Sequence, residues 1–282
     1  MVEIVEVPTA QEFLEATKEI RYENIEANHL ITMAASFGKK RFFLLSNKMC
    51  SSFAVLSSDG PWLAPNMSLR MAFEFGEYIA RDFSGVIQVN GFEPITKEFV
   101  DGFQSIDKDS AWSSEGDAGQ MYRLEQLKAP TLSIGELIAA TLEDFDLLVD
   151  WMIAFKFDCY GWKMPRKAAC TAVKSPLEQN RTFLWVVNGE PVGFGVHSSP
   201  VTIQDTTLYM LGPIYITQPA RRKGFAKALT VALVQTVTLQ CPTPNQSIIL
   251  ISGVNNVASN QTYRSIGFTP VGILKCYSRV LE

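Results

Sequence analysis

Histidine is almost missing from this chain: 282 residues hold two, His29 and His197. A metal centre built on several imidazoles is therefore not expected. Cysteine is sparse and unpatterned. Cys50, Cys159, Cys170, Cys241 and Cys276 are odd in number, scattered, and form no C-x-x-C pair. That usage fits free thiols in a reducing compartment rather than a disulfide framework. No run approaches the roughly 20 consecutive apolar residues that span a bilayer, so no membrane partner is expected. The opening residues, MVEIVEVPTAQEFLEATKEI, are acidic, whereas a signal peptide starts basic and turns apolar; the expected location is the cytoplasm. An excess of positive charge is also lacking. Lys and Arg total 25 against 29 Asp and Glu, for a net charge of −4, which argues against a broad nucleic-acid surface. Neither G-x-x-x-x-G-K-[ST] nor a Rossmann glycine pattern occurs, and the common nucleotide-binding readings fall with them.

What remains is a globular composition, 47% hydrophobic and 19% charged, of a length that suits two compact domains or one large one. The most informative stretch is 208–239, LYMLGPIYITQPARRKGFAKALTVALVQTVTL. Residues 208–217 read as a strand, and Gln218-Pro219 ends it because proline brings no N–H to the ladder. A helix starts near Gly224, with apolar Ala226, Leu229, Leu233, Val234 and Val237 at helical spacing. Between the two lies Arg221-Arg222-Lys223-Gly224-Phe225-Ala226. The first N–H groups of a helix have no partner inside it, and the helix dipole is positive there. Three cations and a glycine at that corner make a cradle for a pyrophosphate.

The hexapeptide fits R/Q-x-x-G-x-G/A, the coenzyme A signature of the GNAT acetyltransferase superfamily. A strand over 247–252 follows, then Asn256-Val257-Ala258-Ser259-Asn260-Gln261-Thr262-Tyr263-Arg264-Ser265-Ile266-Gly267-Phe268. This resembles the second GNAT motif: an Asn-led helix, a Tyr seven residues on, then Gly-Phe. The resemblance implies an α/β mixed sheet of the GNAT acyl-CoA N-acyltransferase fold, with acetyl-CoA as co-substrate and no metal. It places Ile214, Tyr215 and Ile216 along the pantetheine and acetyl group, although packing alone would also explain the two isoleucines. Gly212-Pro213 fits the bulge that splays this strand from its neighbour. Arg221, Arg222, Lys223, Gly224, Phe225 and Ala226 face the pyrophosphate. Asn256, Ser259 and Asn260 belong to the cofactor side of the second helix. Asn256 equally suits an N-cap, and Asn260 is a candidate ligand to pantetheine or pyrophosphate. Tyr263 is the candidate acid: a phenol is protonated at neutral pH and can donate to the departing thiolate. His197, Glu190, Asp205 and Glu178 are weaker candidates for a base, and a water relay or no base at all stays open.

The rhythm after Ala129-Pro130 is β-α-α-β-β-β-α-β-α-β-β, the GNAT order. It opens with a strand over 135–140 and a helix that Thr141 caps with Asp144. The first half has a similar rhythm: helix over 9–37, strands over 41–46 and 51–57, a Ser68-capped helix to Arg81, a strand over 85–89, a short helix and a strand over 120–127. A polar loop or hairpin is expected over 107–119, and final strands from Thr269 and over 274–281. Two GNAT-like lobes in tandem are expected, over 1–129 and 130–282. The first lacks the cradle sequence before its Ser68 helix, where Trp62-Leu63-Ala64-Pro65-Asn66-Met67 stands, which implies a degenerate lobe. The leading functional reading is an N-acetyltransferase acting on a small-molecule or peptide amine, as a monomer or homodimer. An acidic chain is compatible with a cationic acceptor such as a polyamine, an aminoglycoside or a protein N-terminus. The alternatives are an aminoacyl or peptidyl transferase of tandem GNAT type and a non-catalytic coenzyme A sensor.

Overall fold

The structure is a computed structural model, and it describes residues 2–36, 40–83, 85–114, 118–128, 134–241 and 243–280. The expected boundary at Ala129-Pro130 lies outside the described residues, as do the expected ends at Phe37 and Leu281. The elements run β1 (Glu3–Val7), α1 (Ala10–Ala16), α2 (Lys18–Glu23), α3 (His29–Ser36), β2 (Arg41–Ser46), β3 (Ser51–Leu56), β4 (Pro61–Leu63), α4 (Leu69–Asp82), β5 (Gln88–Phe92), α5 (Ile95–Ile106), β6 (Trp112–Ser113) and β7 (Gly119–Leu124). Then come β8 (Glu136–Ala139), α6 (Phe145–Tyr160), α7 (Arg166–Glu178), β9 (Thr182–Val187), β10 (Glu190–His197), β11 (Val201–Ile203), β12 (Thr206–Ile216), α8 (Phe225–Gln240), β13 (Asn245–Gly253), α9 (Val257–Ser265) and β14 (Phe268–Arg279). No helix among the described residues is long and apolar enough to cross a membrane.

The chain divides into two compact units, Met1–Gln120 with Val271–Glu282, and Met121–Pro270. The division is not one cut of the sequence: the C-terminal tail counts with the first unit. The reason is backbone pairing, since Leu274 to Ser278 of β14 run antiparallel to Phe92 to Gln88 of β5.

In the first unit, β1, β2, β3 and β4 are successive antiparallel neighbours, and β4 meets β5 in parallel. Alternation along β2 sends adjacent phenylalanines to opposite faces. Phe43 joins Phe75, Phe99 and Phe103 under α4 and α5, while Phe42 joins Phe13 and Phe53 under α1 and α3. Ser68 caps α4 as expected, accepting the Met71 N–H at 3.2 Å.

The second unit repeats the plan, with strand order β7-β13-β12-β10-β9-β8. Strands β8, β9, β10 and β12 are antiparallel neighbours, and β12 runs parallel to β13. Leu148, Val149, Val173 and Leu177 of α6 and α7 cover one face, against Leu184, Phe194 and Val196. Leu229, Leu233, Val234 and Val237 of α8 cover the other. Thr141 and Asp144 form the expected capping box ahead of α6.

Several expected boundaries move. The helix over 9–37 is three helices, broken at Thr17 and again over 24–28, because apolar spacing does not reveal where backbone hydrogen bonds stop. The strand over 85–89 sits at Gln88–Phe92, where β14 and β4 supply its partners. The polar stretch 107–119 holds the two-residue β6. Strand β11, turning back through Gln204 onto β12, was not expected. The two final strands are one, β14.

Candidate active site

The site grows from the place where two parallel strands part. Pairing between β12 and β13 runs from Thr206↔Asn245 to Leu211↔Leu250. Beyond Leu211, β12 continues to Ile216 and β13 to Gly253 with no further register between them. On its other side β12 pairs with β10, but the register slips: His197 faces Leu211 while Gly195 faces Ile214. Two steps on β10 answer three on β12, so the extra residue falls at Gly212-Pro213. The bulge expected there is present, and it turns residues 214–216 away from β13.

A single turn, Gln218–Ala220, connects β12 to the cradle. Arg222 and Gly224 take positive φ, 61° and 82°, which aims the chain into α8. Glycine is the residue that adopts this conformation without penalty. The first helical bond of α8 is from the Ala228 N–H to the Gly224 carbonyl at 3.1 Å. The N–H groups of Phe225, Ala226 and Lys227 thus precede the ladder, and no side chain caps them. That is an anion site in chemical terms: amides, a positive dipole end and neighbouring cations.

These elements enclose a cleft of about 360 Å3. Ile214, Tyr215, Ile216, Arg221, Arg222, Gly224, Phe225, Ala226, Asn256, Ser259 and Tyr263 all line it. Lys223, although exposed beside them, is not part of the lining. Neither is Asn260, and its role as a ligand is corrected by its bonds. The side-chain amide donates to the Gly253 and Val254 carbonyls at 3.1 and 3.0 Å, and its oxygen accepts from the Tyr122 hydroxyl at 3.1 Å. Asn260 fastens the end of β13 to α9 instead of facing the cleft. Asn256 is the N-cap, accepting the Ser259 N–H at 3.1 Å.

Arg221 also departs from the expected role. Its Nε donates to the Ile216 carbonyl at 3.0 Å, its guanidinium pairs with the Asp158 carboxylate, and it lies over the Tyr215 ring at 5.5 Å. The cation that opens the motif therefore ties the end of β12 to α6. Sequence reasoning missed the α6 contribution to the cleft, which is Phe155, Asp158 and Cys159. One signal was available. A carboxylate in the last turn of a helix opposes the helix dipole, and Asp158 sits in that turn of α6.

Tyr263 is buried at 9% exposure, its ring against Tyr122 and Phe268 at 6.3 and 6.1 Å. Burial, with Cys159 and Tyr160 nearby, holds its phenol well above the usual tyrosine range. It therefore keeps its proton at neutral pH and is available as a proton donor. Burial also raises Tyr215, with Asp158 adding to the effect and Arg221 opposing it.

None of the base candidates lines this cleft. His197 lies between Phe183 and Tyr209, at 6.0 and 5.8 Å, in the core beneath α8. Its Nδ1 is 2.9 Å from the Ser198 carbonyl, and burial lowers its pKa. Glu190 is exposed at the start of β10, Asp205 accepts from Asn245 at 2.8 Å, and Glu178 stands 3.9 Å from Lys174. Among the described residues the one carboxylate in the lining is Asp158, held by Arg221.

Residues 145–268 match the model of the Acetyltransferase (GNAT) family. A search of curated proteins gives no match. Solved structures share the fold along almost the whole chain. An acetyltransferase of the GNAT family from Colwellia psychrerythraea is 16% identical, with 98% of this chain and 99% of that one covered at a TM-score of 0.61. A GCN5-related N-acetyltransferase from Sphaerobacter thermophilus is 10% identical, with 98% and 95% covered at 0.56. A tandem GNAT protein from the clavulanic acid biosynthesis pathway is 9% identical, with 98% of each chain covered at 0.53. The cradle, the splayed strand and the Asn-led helix all fall inside residues 145–268, the segment that matches the GNAT acetyltransferase family model.

Proposed function

We propose that this chain is an acetyl-CoA-dependent N-acetyltransferase that passes an acetyl group to a primary amine by direct attack, in the cytoplasm, without metal or nucleic acid. One observation carries the reading: α8 starts with three uncapped amides at the mouth of the cleft, directly after the strand that leaves its neighbour. The residues fit the group. A diphosphate would be held by the N–H groups of Phe225, Ala226 and Lys227 and by Arg222, with Gly224 supplying the backbone turn. The pantetheine arm would run along Ile214, Tyr215 and Ile216, whose backbone has no strand partner on the β13 side. Acetyl-CoA supplies an activated acyl group on a good leaving thiolate.

The chain's own contribution is positioning and proton supply. The bulge would set where the thioester carbonyl lies, and an N–H of residues 214–216 would stabilise charge developing on its oxygen. Tyr263 offers the phenolic proton to the sulfur. Among the described residues no carboxylate is free in the cleft, which favours an amine that arrives already deprotonated. Calorimetry of acetyl-CoA binding, followed by thiol release with a panel of amines, tests the proposal. Micromolar binding and amine-dependent thiol release are expected. Binding without release from any amine would leave a coenzyme A sensor, and no binding would end the reading.

A further inference from the structure

A second cavity, of about 150 Å3, lies in the same unit on the face covered by α6 and α7. Leu148, Met152, Val173 and Phe194 give it an apolar wall, and it reaches Gly212 and Pro213 of the bulge. Its volume is roughly that of five waters in the liquid. The cavity and the cleft touch consecutive residues of one strand: Met210, Gly212 and Pro213 for the cavity, Ile214, Tyr215 and Ile216 for the cleft.

Arg181, Thr182, His197 and Ser198 are the polar part of this wall, and His197 Nε2, like the Thr182 hydroxyl, is buried with no hydrogen-bond partner among the described residues. Thr182 is 3% exposed, and its Oγ1 has no hydrogen-bond partner among the described residues. Alternation along β9 puts it on the face of Leu184 and opposite Val196, the side covered by α6 and α7. A buried hydroxyl without a partner loses its hydration uncompensated, a loss that a bound polar group would recover. The one charged residue in the lining is Arg181, whose Nη1 donates to the His197 carbonyl at 2.8 Å. Among the described residues no carboxylate lines the cavity.

We propose that this cavity is the acceptor pocket, an inference that rests on the acetyl-transfer reading above. It takes the apolar body of a small amine, and Thr182 Oγ1 hydrogen-bonds a polar group beside the nitrogen. An arginine and no carboxylate select against a second positive charge. The substrate class is therefore an aliphatic amine whose remaining charge is absent or negative, such as an α-amino acid, rather than a polyamine or aminoglycoside. The nitrogen enters uncharged and bonds to the thioester carbonyl carbon while the C–S bond breaks. The thiolate takes the Tyr263 proton, the surplus proton on nitrogen goes to solvent, and solvent restores the phenol.

The test uses L-leucine, n-butylamine and spermidine with the full chain and three variants. Wild type should acetylate L-leucine or n-butylamine at least about 10-fold more efficiently than spermidine in kcat/KM. Ala172→Phe, which fills the cavity from α7, should raise KM for the preferred amine about 10-fold or more and leave acetyl-CoA affinity within about two-fold. Thr182→Val should raise that KM several-fold, and Thr182→Ser should restore it. Preference for spermidine, an unchanged KM in Ala172→Phe, or acetylation of none of the three by a protein that binds acetyl-CoA would each overturn the pocket. If acetyl-CoA does not bind at all, the acetyl-transfer reading fails first. Direct calorimetry of L-leucine then decides the cavity: heat in wild type that is lost in Ala172→Phe keeps it, and no heat in either overturns it.

Discussion

Arg221 and Arg222 are adjacent in the sequence and do different work. Arg221 joins β12 to α6 through the Ile216 carbonyl and Asp158, whereas Arg222, at the turn into α8, is exposed and lines the cleft. Arg222→Ala should therefore weaken acetyl-CoA binding about five- to ten-fold with little change in Tm. Arg221→Ala should lower both affinity and Tm, since it leaves the Asp158 carboxylate, on a side chain 18% exposed, without its partner. Calorimetry paired with thermal melts separates the two. Tyr263→Phe keeps the ring packing and removes the proton, so kcat should fall about 10²-fold while acetyl-CoA affinity holds, as single-turnover and binding measurements would show. At the far end of the sequence, His29 is 1% exposed with both ring nitrogens unpartnered, and burial lowers its pKa from 6.5 to about 4. The unfolded chain binds the proton more tightly, so stability is intact above pH 6.5, falls as pH drops, and has lost its full share below about 4. The loss is about 3 kcal/mol over that window. Urea titrations from pH 7 to 4 should show that decline, and His29→Gln should flatten it.

The starts of α4 and α8 show what an element can and cannot declare about itself. Ser68 closes the first turn of α4 with its own hydroxyl and Met67 is buried in the core, so that end is already satisfied. Gly224 closes nothing. A Cβ there would meet no atom within 4 Å, yet a φ of 82° strains any L side chain. Gly224→Ala should cost about 1 kcal/mol of stability and reduce acetyl-CoA affinity, measurable by denaturant titration alongside calorimetry. The caps at Ser68, Thr141 and Asn256, the bulge at Gly212-Pro213 and most of the cleft lining were legible because each depends on local chemistry: a hydroxyl before an apolar run, a proline in a strand, a glycine at a turn. The turn of Asn260 away from the cleft and the tie of Arg221 to α6 were not legible because their partners, Tyr122 and Asp158, lie far away in the sequence. The same limit hid α6 from the site. Apolar spacing identified the helix but could not say that its last turn borders the cradle. Strand β11 escaped because three residues carry no period to read.

At the scale of the molecule, two units repeat one plan. Each runs antiparallel through four strands and then adds a parallel fifth, β5 in one and β13 in the other. Among the described residues, α8 of the second unit starts without a side-chain cap beside that pair, whereas Ser68 caps α4 of the first. The sixth strand is where chain order and spatial order part. The first unit takes it from the C-terminal tail, and β7, just after that unit's own helices, heads the strand order of the second. Genetic dissection inherits that crossing. Coding segments for 1–129 and 130–282, expressed alone, would each carry a strand the other needs and lack one of their own, leaving an open sheet edge. Each half should aggregate or stay partly unfolded by circular dichroism. Co-expressed, the halves should recover a soluble pair; two well-folded monomers from separate expression would show that the borrowed strands are dispensable. Deleting 271–282 alone should injure the unit at the opposite end of the gene.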